Sequence, residues 1–151
     1  MELEEFRLRI EAYPTEPRWK FESAKRLLEL GSTDEAIPLL QEAQQDARYR
    51  VEAFGMLGQA FLKIDYIDEA IHAYRQALEA HKITTDETGM ALNYGLLTAL
   101  QLKAEKDRDA AAAGEADKIA SAIALQQFNY RDIRARRDAI KKLVAELRGP
   151  G

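Results

Sequence analysis

The side chains able to do chemistry in this chain are two histidines, a surplus of carboxylates and a basic C-terminal stretch; its 151 residues include no cysteine. Asp68 and His72 stand four apart, so on a helix both would leave one face, a spacing that can grip a metal ion. Two ligands do not complete a coordination shell, and beyond His81 no other imidazole and no thiolate remains to do so. Without cysteine there is neither a thiolate site nor a disulfide framework. No serine or threonine stands in a strand–turn–helix elbow, and no glycine-rich phosphate loop is present. The carboxylates fall on helix surfaces, where they serve solubility and i,i+4 pairing. The expectation is no catalytic residue, no metal and no cofactor: not an enzyme.

Charge is distributed unevenly. The chain carries a net −4, yet residues 129–151 hold seven basic side chains (Arg131, Arg134, Arg136, Arg137, Lys141, Lys142, Arg148) against Asp132, Asp138 and Glu146. That stretch is therefore +4 and the remainder −8. A basic helix can bind phosphates, but no aromatic residues are interleaved with these arginines, and the acidic remainder repels nucleic acid. A solvated capping helix is expected there, with no nucleic-acid partner. No apolar run approaches the roughly 20 residues of a membrane span, and the N-terminus lacks a signal-peptide pattern. Membrane insertion is not expected, and the expected location is cytoplasmic.

The elements that would position these groups are helices, since Leu, Ala, Glu, Lys, Arg and Gln dominate while β-branched residues are few. The clearest stretch is Val51 to Thr84. Phe54-x-x-Leu57-Gly58-x-x-Phe61 and then Asp68-Glu69-Ala70-x-x-x-Tyr74-x-x-Ala77 put large residues at helical spacing and small ones where two helices must approach. This order resembles the tetratricopeptide repeat. One period of about 34 residues earlier, Ala24, Leu27, Gly31, Asp34-Glu35-Ala36, Leu40 and Ala43 fill the equivalent slots.

Around these two repeats the chain reads as a single domain. A half-repeat helix over residues 1–14 precedes them, with Leu3, Phe6 and Ile10 on one face; the chain opens halfway through a repeat, as a fragment or a capped domain would. Repeats follow over 17–50 and 51–84, then an expanded repeat over 85–128 and a capping helix over 130–148. In the third repeat Tyr94-Gly95 is read into the Leu57-Gly58 slots. About nine inserted residues, centred on Lys103–Asp109, are then needed before Glu115-Ala116 and Phe128-Asn129-Tyr130 fit. Ile133, Ile140, Leu143, Val144 and Leu147 give the last helix one apolar face. Gly149-Pro150-Gly151 reads as a frayed end.

What the resemblance implies is an all-α, right-handed solenoid of antiparallel helix pairs with a terminal capping helix. It implies a non-catalytic scaffold that binds a peptide or protein segment along the first helices of the repeats. The implied contact residues are Arg18, Phe21, Glu22, Lys25 and Glu29, then Glu52, Gly55, Met56, Gln59 and Lys63. The third repeat would add Gly89, Leu92, Asn93 and Leu96. Phe21, Met56 and Leu96 serve equally well as core. One subgroup of the family clamps carboxylate tails with Lys and Asn; here Phe21 and Met56 depart from that pattern, and only Lys25 and Asn93 are of its type. A second function class is structural, with self-association through the open half-repeat at Leu3 and Phe6.

Overall fold

The computed structural model describes residues 3–149, which form eight α-helices and, among them, no strand. They are α1 (Leu3–Ala12), α2 (Pro17–Glu29), α3 (Thr33–Ala43), α4 (Arg50–Lys63), α5 (Ile67–Ala80), α6 (Glu87–Asp107), α7 (Ala110–Gln126) and α8 (Ile133–Arg148). Met1, Glu2, Pro150 and Gly151, which the expected first helix and the expected frayed end include, lie outside the described residues. Packing gathers the described residues into two compact units, divided between Ala80 and His81.

In the first unit the repeat is visible in backbone hydrogen bonds. Gly31, at φ 81°, donates to the Leu28 carbonyl (3.1 Å), and the Ser32 amide donates to Leu27 (2.8 Å). Asp65, at φ 65°, donates to Leu62 (3.1 Å), and Tyr66 donates to Phe61 (2.9 Å). Both turns are the same left-handed helix stop, one repeat period apart. Ser32 holds the cap position of α3 without a side-chain bond, so Asp34 and Glu35 carry the favourable charge in its first turn. Pro17 opens α2, where its missing N–H costs nothing, and Pro38 is carried inside α3. Between α3 and α4 the Arg50 guanidinium donates to the Gln44 and Gln45 carbonyls (3.1 and 2.9 Å). Phe21, Ala24, Leu27, Ala36, Leu40, Ala43, Ala53, Leu57 and Ala73 form one buried cluster across α2 to α5.

The second unit packs α6 against α7 and α7 against α8. Its repeat frame differs from the expected one. In α4 the buried residues are Ala53, Leu57, Gly58 and Ala60; in α6 the same pattern falls on Leu92, Leu96, Leu97 and Ala99. Leu96-Leu97, not Tyr94-Gly95, therefore takes the Leu57-Gly58 slots, a correction of two residues. Burial decides it: Leu97 is fully enclosed, whereas Tyr94 is only half-buried. Ala116, Ala120 and Ile123 of α7 repeat Ala70, Tyr74 and Ala77 of α5, so Glu115-Ala116 fits as expected. Phe128–Tyr130 does not, because it lies in the turn after α7. The extra residues lengthen α6 to Asp107; Arg108, at φ 53°, reverses the chain, and the Asp109 carboxylate caps α7 at the Ala112 amide (3.0 Å).

Asp86 starts α6. Its carboxylate accepts from the Gly89 amide (2.7 Å) and meets His81 Nε2 (2.8 Å). The amide bond first, and then His81, hold its pKa below the ordinary aspartate value. A lowered carboxyl pKa stabilises the fold above the unfolded-state value near 4 and is lost as pH falls through the folded value. Asp86→Asn should therefore flatten the fall of Tm between about pH 5 and pH 3. Part of the fall should remain, since hydrogen bonds from Arg48 and Tyr94 likewise lower Asp46 and Asp132. An unchanged acid slope would remove Asp86 from this role.

Candidate functional site

The strongest surface feature of the first unit is a pair of matching stripes on α2 and α4. Arg18, Glu22, Lys25 and Glu29 recur at helical spacing on α2, and Glu52, Met56, Gln59 and Lys63 occupy the same phase of α4 one repeat later. Arg18, Lys25, Glu29, Glu52, Gln59 and Lys63 are exposed, while Glu22 and Met56 are half-buried. The shared core of α2 to α5 holds both helices, so the stripes ride on rigid elements. Glu29 pairs with Arg26 (3.1 Å), and the Arg18 guanidinium lies 4.8 Å from the Trp19 ring. Glu22, Glu52, Gln59 and Lys63 make no hydrogen bond or ion pair among the described residues.

Other expected contact residues are elsewhere. Phe21 is 3% exposed; its ring meets Tyr49 at 5.0 Å, and Lys25 Nζ sits 5.5 Å above it. Leu96 is 5% exposed and belongs to the core of the second unit. Both are corrections with one cause: on a helix the groove and core positions are neighbours, and large apolar side chains turn inward. Asn93 lines a cleft of about 410 Å³ between α6 and α7 with Met90, Lys118, Ile119 and Ile123. Gly89 and Leu92 are buried, and Gly55 is half-buried on α4. In the corrected frame the α6 positions matching the α4 stripe are Ala91, Gly95, Thr98 and Leu102.

The basic C-terminal segment is more engaged than its sequence suggested. Arg131 lies over the rings of Tyr94 (4.8 Å) and Tyr130 (5.2 Å), and Arg134 lies over Phe128 (5.0 Å). Arg136 donates to Thr98 Oγ1 (2.9 Å) and Gln101 Oε1 (3.3 Å), and the Tyr94 hydroxyl donates to the Asp132 carboxylate. Lys141 pairs with Asp117 at 3.4 Å. Burial, followed by the Asp132 bond, raises the Tyr94 pKa. From α6, Tyr94 meets Arg131 and Arg136 across a sequence separation that no local pattern could reveal. Guanidinium groups held over rings and side-chain oxygens clamp α8 to its own unit.

His72 lines a cleft with Asp68, while His81 is committed to Asp86. Among the described residues no three His, Cys, Asp or Glu side chains gather to hold a metal. Among them, too, no helix is long and apolar enough to cross a membrane.

No family model matches the chain, and none of the curated proteins does. Among solved structures it is similar to a crystal structure of MamA, with TM-score 0.61 and 20% identity over 96% of this chain and 84% of that one. A second MamA crystal structure gives TM-score 0.59 and 19% identity, over 96% of this chain and 78% of that one. At such identity the likeness is one of fold. The chain is all-α and shares the tetratricopeptide-like helical-repeat architecture of MamA.

Proposed function

We propose that this is a non-catalytic interaction module of the tetratricopeptide type, binding a peptide or protein segment along the α2 and α4 stripes. One observation carries the reading: two equivalent helices present the same phase to solvent, with Glu22, Glu52, Gln59 and Lys63 unpartnered there and Met56 half-buried between them. Mixed charge, an amide and a thioether on a rigid support suit a partner with both polar and apolar side chains. The helical-repeat fold shared with MamA agrees with a scaffold role. In this reading Phe21 anchors the stripe from beneath rather than touching the partner. Self-association through α1 is the less supported reading, because Phe6 is buried and Leu3 rests on the core cluster, leaving Leu8 as its exposed large hydrophobic side chain and Tyr13 just past its end.

The test is affinity capture from a lysate of the source organism with the native chain and with Lys25→Glu/Gln59→Ala. Melting curves should show both folded, as neither residue is buried. A protein retained by the native chain and lost by the variant is the expected result. Equal capture by both removes the stripe from the binding site.

A further inference from the structure

The opposite side of α4 carries a second feature. Phe54 and Phe61 stand nine residues from Lys63 and Glu52 respectively, roughly two and a half turns, and so leave the helix on the side away from the stripe. There they floor an open cleft of about 440 Å³ between α3, α4 and α5. Both rings are half-buried, and the exposed Tyr66 stacks on Phe61 with centroids 6.4 Å apart. Asp68 and Glu69 form the α5 rim, and Gln41 of α3 with Gln44 just past its end forms the other. No lysine or arginine lines the cleft, and Glu69 makes no ion pair or hydrogen bond among the described residues.

We infer that this cleft is a second docking surface, and that its occupant is a basic amphipathic helix of a partner protein. The charge is complementary: aromatic faces and carboxylates together receive the guanidinium or ammonium group of a side chain whose apolar stem lies on the rings. The spacing is also complementary. Phe54 and Phe61 are seven residues apart, about 10 Å along the α4 axis, which matches apolar side chains two turns apart on an incoming helix. The two glutamine amides on the far rim donate and accept, so polar side chains flanking the apolar face find partners there. An acidic segment or a phosphate backbone would meet the Asp68 and Glu69 carboxylates with no lysine or arginine in the lining to offset them.

The probe is a fluorescein-labelled amphipathic helical peptide with leucines seven apart and arginines between them, read by anisotropy at low salt. Its counterpart with every arginine replaced by glutamate is the control. The basic peptide should bind and the acidic one should not. Glu69→Gln, folded by circular dichroism, should weaken binding about five-fold, one carboxylate–arginine pair at the upper end of partly exposed pairs. Gln44→Glu should tighten binding, which keeps the inference testable if that variant fails to fold. Lys25→Glu/Gln59→Ala should bind the probe like the native chain, separating this surface from the stripe. No binding up to about 1 mM, the weak end of measurable affinity, would overturn the inference. So would equal binding of both peptides, or affinities unmoved by the Glu69 and Gln44 changes.

Discussion

Replacing Gly58 by leucine is expected to cost the first unit about 3 kcal/mol, the upper end of core overpacking. A Cβ at this position would lie 2.6 Å from Cε2 and Cζ of Tyr74 and 2.8 Å from Cδ2. Tyr74 is 4% exposed, and its ring cannot leave without separating α4 from α5. Leucine adds three further carbons to a contact that already fails with one. For a chain of this length the loss lowers Tm by about 10 °C. Gly58→Ala should fall in the same direction by less. Combining it with Tyr74→Leu should cost less than the sum of the single changes, because the smaller side chain yields the space. Unchanged melting of Gly58→Leu would mean that α4 and α5 do not meet at this pair.

Gly89→Ala should be nearly as damaging, although it adds a single methyl. Its Cβ would stand 2.1 Å from the Ile83 carbonyl oxygen and 2.7 Å from the Thr84 Cα. These are backbone atoms, so no rotamer change relieves them; the 83–84 segment or the first turn of α6 must move. Either movement breaks the cap in which Asp86 accepts from the Gly89 amide. The expected loss is again about 3 kcal/mol. Gly114→Ala is the control: nothing lies within 4 Å of its Cβ inside α7, so alanine should stabilise by about 0.5–1 kcal/mol through helix propensity. Parallel thermal melts check both. Similar effects from the two glycines would contradict the close approach at Gly89.

Both effects show how much was legible beforehand. Gly58 stands out in the sequence because a glycine inside an otherwise strong helical pattern needs a reason, and the repeat supplied one in an aromatic partner. The turns at Gly31 and Asp65 were equally legible, each falling just past the last apolar residue of a helix. Gly89 was not. Its reason is a carbonyl six residues earlier, brought back by a loop whose path no periodicity encodes.

Residue spacing along the chain is enough to define the helices, their pairing in residues 17–84 and the apolar face of the last helix. These follow from local spacing, because a helix buries whichever side its apolar residues share. Tertiary structure decided which of two adjacent phases faces inward: Leu96-Leu97 over Tyr94-Gly95, and Phe21 as core beneath Lys25. It also decided that Arg131 and Arg136 are spent on Tyr94, Thr98 and Gln101, and that Phe54 and Phe61 floor a cleft with Asp68 and Glu69. Spacing along the chain sets what one helix can present, while only contact between helices settles what remains exposed for a partner.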